Sequence, residues 1–153
     1  MRHFVRTTLA WALLAIVGEN VIAPVISIRG IAPDFTVVAI VILAMSEGAR
    51  AGVLGGFAVG LVQDLSVPTL LGLHAFCKAA LGWIVGRTRG HLIYGMPLVE
   101  ISLLLVATLG HDTVFLVVQS RQQSEAFLGP WLFEAVPTAL YTALAGWPLV
   151  RLA

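Results

Sequence analysis

Charge and cysteine are both scarce in this chain. Of 153 residues only 11% are charged, against about a quarter in an ordinary soluble domain. The formal net charge is +1, so no basic patch exists to neutralise phosphates, and nucleic acid is not expected as a partner. A single cysteine, Cys77, stands in an apolar run between Phe76 and Lys78. That excludes an internal disulfide framework and a cysteine-rich metal site, and leaves Cys77 as a small buried filler. Catalytic signatures are missing too. There is no Gly-x-Ser-x-Gly and no His-Glu-x-x-His, and the glycines from Gly52 to Gly60 lack the strand and turn of a phosphate loop. The histidines, His3, His74, His91 and His111, are scattered without ligand spacing, so neither a metal nor a cofactor is expected. His111 and Asp112 are adjacent, which sets them about 100° apart on a helix and makes a poor preformed pair. No enzyme activity is expected.

What abounds is apolar surface. Hydrophobic residues make up 59% of the chain, and mean hydropathy is +0.96. This is the composition of an integral membrane protein, and residues 1–153 suit one multi-pass domain. Arg2 and Arg6 followed by Leu9–Val17 resemble a signal sequence, but no small-residue cleavage site follows. A retained first membrane helix is expected instead.

Apolar runs separated by Pro, Gly and polar breaks predict an all-α bundle of six helices, near 4–25, 33–46, 50–64, 70–86, 96–119 and 130–150. The second and third are short, rising about 21–23 Å against a hydrocarbon core of roughly 30 Å. Merging or half-inserting that pair gives a five-span alternative. With a cytoplasmic N-terminus, the inner segments carry Arg2, Arg6, Arg50, Arg87, Arg89 and Arg151, and the outer loops only Arg29 and Arg121. This bias favours six spans with both termini inside. Trp11, Trp83, Trp131 and Trp147 then fall near span ends, as interface anchors.

One row of small residues stands out. Gly48, Gly52, Gly56 and Gly60 recur at steps of four, extended back to Ala44 and ending on Asp64. On a helix this row follows the i±4 ridge and leaves a groove that a second helix can approach closely. In water each glycine would cost a helix about 1 kcal/mol. Phe57 and Leu61 flank the row as packing residues.

Ionisable residues within spans are costly, so their placement is informative. Glu19, Asn20, Asp34, Asp64, His74, His111, Asp112 and Glu134 all fall in the outer half of the expected topology, with Lys78 nearer mid-depth and Glu100 toward the inside. Two roles are open. Asp34, Asp64, His74, Lys78 and Asp112 can form a polar network that orders the bundle, with Lys78 neutralised by Asp64, Asp112 or Glu19. Alternatively they line a cavity or ion path open to the outside. Asp34, following Pro33, also suits a helix N-cap.

The residues now resemble a family. Ala32-Pro33-Asp34-Phe35 opens a helix, and Gly52-x-x-Gly55-Gly56-Phe57-x-x-Gly60-Leu61-x-x-Asp64-Leu65 follows. Then come Leu71-Gly72-Leu73-His74-Ala75 and Pro137-Thr138-Ala139-Leu140-Tyr141-Thr142-Ala143-Leu144. In order and spacing this is similar to the rod shape-determining MreD family over essentially the whole chain, except that Thr142 stands where the family often has Asn. The resemblance implies a non-enzymatic inner-membrane scaffold of the bacterial wall-elongation complex. It also implies partnership with a bitopic MreC-like protein, MreB, RodA and a class B penicillin-binding transpeptidase. The implied fold is similar to the six-helix S-components of energy-coupling-factor transporters. The rival function is therefore capture of a vitamin or metal by such an S-component. Ala10, Ala12 and Ala15 never fall four apart, so the Ala-x-x-x-Ala docking pair of those proteins is missing.

Overall fold

The computed structural model describes residues 2–66, 70–90, 96–123 and 126–152, with side chains from residue 6 onward. Parts of two expected breaks, 67–69 of the break from Ser66 and 91–95 of the break from Arg87, with His91, lie outside the described residues. So do positions 124–125 of the fifth break and the side chains of Arg2 and His3.

Six helices follow one another, with no strand among the described residues. Helix α1 (2–25) joins Arg2–Val17, a π-helical turn Gly18–Ile22 and a last turn Ala23–Val25. Then come α2 (Phe35–Glu47), α3 (Ala49–Asp64), α4 (Leu73–Thr88) and α5 (Pro97–Gln123). Helix α6 (128–152) joins Leu128–Pro130, a second π-helical turn Trp131–Ala135, and Val136–Leu152. The break expected from Gln119 is shorter than predicted. Helix α5 runs on to Gln123 because no Gly or Pro stands between Gln119 and Gln123, and Gln119 Nε2 donates to Gln123 Oε1 at 3.4 Å.

The two π turns share a local cause. Ala23 N–H donates to Gly18 O and Val136 N–H to Trp131 O, each one residue wider than an α turn. Each donor immediately precedes a proline, Pro24 or Pro137. A proline removes one backbone donor and crowds the preceding turn, and a π bulge absorbs that conflict without ending the helix.

Helix α2 is the axis of the bundle. Every residue from Thr36 to Ala44 is buried, the pattern of a helix covered on all sides. Val37, Val38, Ile40, Val41 and Ile42 form the core with Leu81 and Val85 of α4, Leu104 and Ala107 of α5 and Ala143 of α6. Its 13 residues rise only about 20 Å.

Helices α3 and α4 meet backbone to backbone. A Cβ on Gly52 would lie 2.5 Å from Gly82 O, and one on Gly60 2.5 Å from Ala75 Cα. One on Gly56 would overlap Lys78 O, and one on Gly86 would overlap the Ala49 backbone. Contacts that descend along one helix while ascending the other make the pair antiparallel. The groove of α3 is thus filled by this chain's own α4, which brings a second small-residue row of Ala75, Gly82 and Gly86.

Gly48 requires a correction, because it does not pack. It separates α2 from α3 with φ +92°, and a Cβ there would meet only the Arg89 side chain at 3.4 Å. Its backbone conformation, which glycine adopts at little cost, is what the position needs. It also keeps the short pair as two helices. Phe57 and Leu61 differ as well, since they are 51% and 40% exposed and face outward from the row.

The outer surface is apolar. Leu13, Val25, Phe76, Val106, Phe133 and Leu144 are all exposed, a surface suited to lipid. Arg6–Val25 and Pro97–Gln123 are long and apolar enough to cross a membrane, and Phe35–Glu47 is a shorter apolar helix.

Candidate functional site: a polar cluster at one end of the bundle

Residues from all six helices converge at the end of the bundle where α2 and α4 begin. The core of the cluster is the start of α2. Asp34 is its N-cap, and Oδ1 accepts from Val37 N at 2.9 Å and from Thr36 Oγ1. Asp34 N–H donates to Thr142 Oγ1 of α6 at 2.9 Å. Phe35 N–H donates to Glu19 Oε2, which the π turn of α1 presents, at 3.1 Å. The free amides of a helix N-terminus thus find partners from three segments. Thr142 is fully buried and supplies one of them.

Lys78 enters this cluster from α4, fully buried. Its Nζ donates to Thr36 Oγ1 and lies 3.4 Å from Asp34 Oδ2. Among the described residues the ion pair is therefore with Asp34 and not with Asp64, Asp112 or Glu19. Sequence alone leaves Asp64, Asp112 and Glu19 open for Lys78, and the burial of α2 beside α4 brings in a fourth acid, Asp34, which also caps α2. Asp34 does both.

Asp64 has a separate task. Buried completely, its two carboxylate oxygens accept from His74 N and Ala75 N, each at 3.0 Å. It caps α4 from the end of α3, where a carboxylate also meets the positive end of the helix dipole.

His111 and Asp112 project from α5. Contrary to the expectation from their adjacency, His111 Nδ1 and Asp112 Oδ1 stand 2.9 Å apart. The angle between neighbouring positions is set at Cα, and the side-chain torsions beyond it close the gap. His74 stacks on Phe115 with centroids 4.3 Å apart and lies 6.0 Å from His111. Asp34, His111 and Asp112 each offer a ligand atom within 4.8 Å of the others. Linear spacing could not have found this set, because Asp34 belongs to a different helix.

Two small cavities flank the cluster. One of about 290 Å³ is lined by Ile16, Glu19, Asn20, Thr36, Gln63 and His74 among others. A second of about 230 Å³ is lined by Asp112, Phe115, Gln119, Glu134 and Thr138 among others. An apolar cleft of about 450 Å³ lies lower, between α4 and α5, walled by Phe76, Leu81, Ile84, Val106 and Val114.

Glu100 stands apart from the cluster. It accepts from Trp147 Nε1 at 3.0 Å and Arg151 Nε at 2.8 Å, tying α5 to α6. Trp147 thus has a specific partner beyond the anchoring expected of it.

No curated protein and no solved structure matches this chain. A family match extends over residues 2–152, and its description is rod shape-determining protein MreD. That match takes in essentially the whole chain, which therefore belongs to the rod shape-determining protein MreD family.

Proposed function

We propose that this protein is a non-enzymatic scaffold of the wall-elongation complex in the bacterial inner membrane. In this arrangement six helices span the bilayer, both termini are cytoplasmic, and the polar cluster lies toward the outer face. The protein binds a bitopic MreC-like partner and so helps align peptidoglycan synthesis by RodA and a class B transpeptidase with MreB filaments. The observation that carries this is the family match over residues 2–152. The arginine distribution supports the orientation. Because α4 already occupies the glycine groove of α3, the partner's helix is expected on another face. The apolar cleft between α4 and α5 offers such a face.

Depletion of the protein in a rod-shaped host tests the proposal. Cells should round up, vitamin-enriched medium should not restore them, and an MreC-like protein should co-purify in mild detergent. Cells that keep their rod shape but require a vitamin would instead favour a transporter S-component.

A further inference from the structure

The cleft between α4 and α5 is almost wholly apolar, and its wall holds one acceptor that nothing in the chain satisfies. His111 is part of that wall, with its side chain only 4% exposed. Asp112 Oδ1 stands 2.9 Å from Nδ1, so the carboxylate fixes the proton on Nδ1 and leaves Nε2 as a bare acceptor. Nε2 lies at the far end of the ring, faces the cleft, and has no hydrogen-bond partner among the described residues. A buried acceptor left unpaired is costly. Thr88, which carries a hydroxyl into the same wall, cannot relieve it, because its Oγ1 already donates to Val85 O at 2.8 Å.

The adjacent residue marks open space. A Cβ on Gly110 would meet nothing within 4 Å, although Gly110 lines the cleft in the middle of α5. The glycines between α3 and α4 are the opposite case, since facing backbone fills the place of each missing side chain. With Ala80 and Ala107 also in the wall, Gly110 leaves a surface that a further helix can approach closely.

Depth and charge select the occupant. His111 lies about 21 Å along α5 from Pro97 and about 18 Å from Gln123. Half of a hydrocarbon core is about 15 Å, so in a spanning α5 the imidazole sits near the middle of the bilayer. Acyl chains can fill the cleft but have no donor to offer, and headgroup donors stay at the surface. A side chain on a membrane-spanning helix does bring a donor to that depth. It is an uncharged one, because no acid lines the cleft to balance an ammonium or guanidinium.

We propose that the cleft receives one transmembrane helix of a partner protein, which sets a hydroxyl, amide or indole N–H against His111 Nε2 and packs over Gly110. This rests on the scaffold reading, which supplies a bitopic partner, and specifies the chemistry of its contact.

The test co-expresses the full chain with the MreC-like protein of its host. Benzoylphenylalanine at Ile84 or Val106, exposed residues in the two walls, should photo-cross-link to the partner's transmembrane segment. The same group at Leu13 or Leu144, exposed on other helices, should not. The cross-linked stretch should lie within one turn of a Ser, Thr, Asn, Gln, Tyr or Trp near the middle of that segment. Gly110→Leu grows into open space, so thermal unfolding should hold while co-purification of the partner is lost. His111→Leu should weaken association about threefold to thirtyfold, the range of one hydrogen bond between membrane helices. His111→Gln, which keeps an acceptor, should weaken it less. Cross-links confined to phospholipid or to a second copy of this chain overturn the proposal, and so does a folded Gly110→Leu protein that retains its partner. In both cases the scaffold role stands if the unvaried protein still co-purifies with the MreC-like protein. Failure of the unvaried protein to do so overturns both.

Discussion

Gly52 and Gly82 each occupy the space where the other's side chain would be. A Cβ on Gly52 would fall 2.5 Å from Gly82 O, and one on Gly82 would overlap Gly52 O. The same closeness recurs above them at Gly56 with Lys78 and at Gly60 with Ala75. In lipid, where no hydrophobic force drives helices together, such intimate van der Waals contact is a principal source of association. Helices α3 and α4 therefore form a close-packed antiparallel pair beside which α2 is buried.

Substitution on the two sides of α3 should show how that contact differs from ordinary packing. Gly56→Leu places atoms on the Lys78 backbone, which cannot yield without moving α4. Gly55→Leu meets the end of the Leu43 side chain, which can rotate away. Gly55→Leu should cost about 1–3 kcal/mol, an ordinary overpacking penalty, and Gly56→Leu distinctly more. Thermal unfolding in detergent compares them, and equal losses would argue against a backbone-specific contact.

Lys78 offers a double-mutant test. Lys78→Met leaves the largely buried Asp34 beside an uncharged neighbour, and breaking a buried pair costs up to about 3–5 kcal/mol. Adding Asp34→Asn should recover part of that loss. Adding Asp64→Asn should not, because Asp64 bonds the α4 amides rather than the ammonium. Recovery with Asp64→Asn and none with Asp34→Asn would reverse the assignment of the partner.

Asp64→Ala should unfasten the start of α4. Two amides, His74 N and Ala75 N, lose their acceptor, and cap removal costs about 0.5–2 kcal/mol. Hydrogen exchange at residues 73–76 should accelerate while exchange in α2 stays slow. Uniform acceleration across both helices would show that Asp64 holds the bundle rather than one helix end.

Composition made the membrane class and six-helix content legible, because apolar runs and their Pro or Gly breaks are local signals. The α3 row was legible for the same reason. Its partner row on α4 was harder to see, since Lys78 interrupts the small residues between Ala75 and Gly82. Gly48 shares the spacing of the row but not its role, because a period of four cannot tell a packing glycine from a capping one. The choice of Asp34 for Lys78 depends on α2 lying beside α4, a relation between residues 44 positions apart. The Asp34–His111–Asp112 set depends on the same tertiary closure, so a search by spacing had nothing to find.

The widened turns before Pro24 and Pro137 have a consequence for the angular phase of the helices. Each acts as one extra residue within an otherwise regular helix, and one residue corresponds to about 100° of rotation. Glu19 lies inside the first such turn and Glu134 inside the second. Deleting a single neighbouring residue, such as Val21 or Leu132, would restore the α repeat with almost no change in hydrophobicity. The bulge absorbs the ~100° of its extra residue, so the helix beyond the turn would keep its faces, and only residues inside the turn, Glu19 among them, would shift relative to Phe35 N. The direction in which these two acids face is thus set inside each turn by one extra residue, while the rest of each helix keeps its phase.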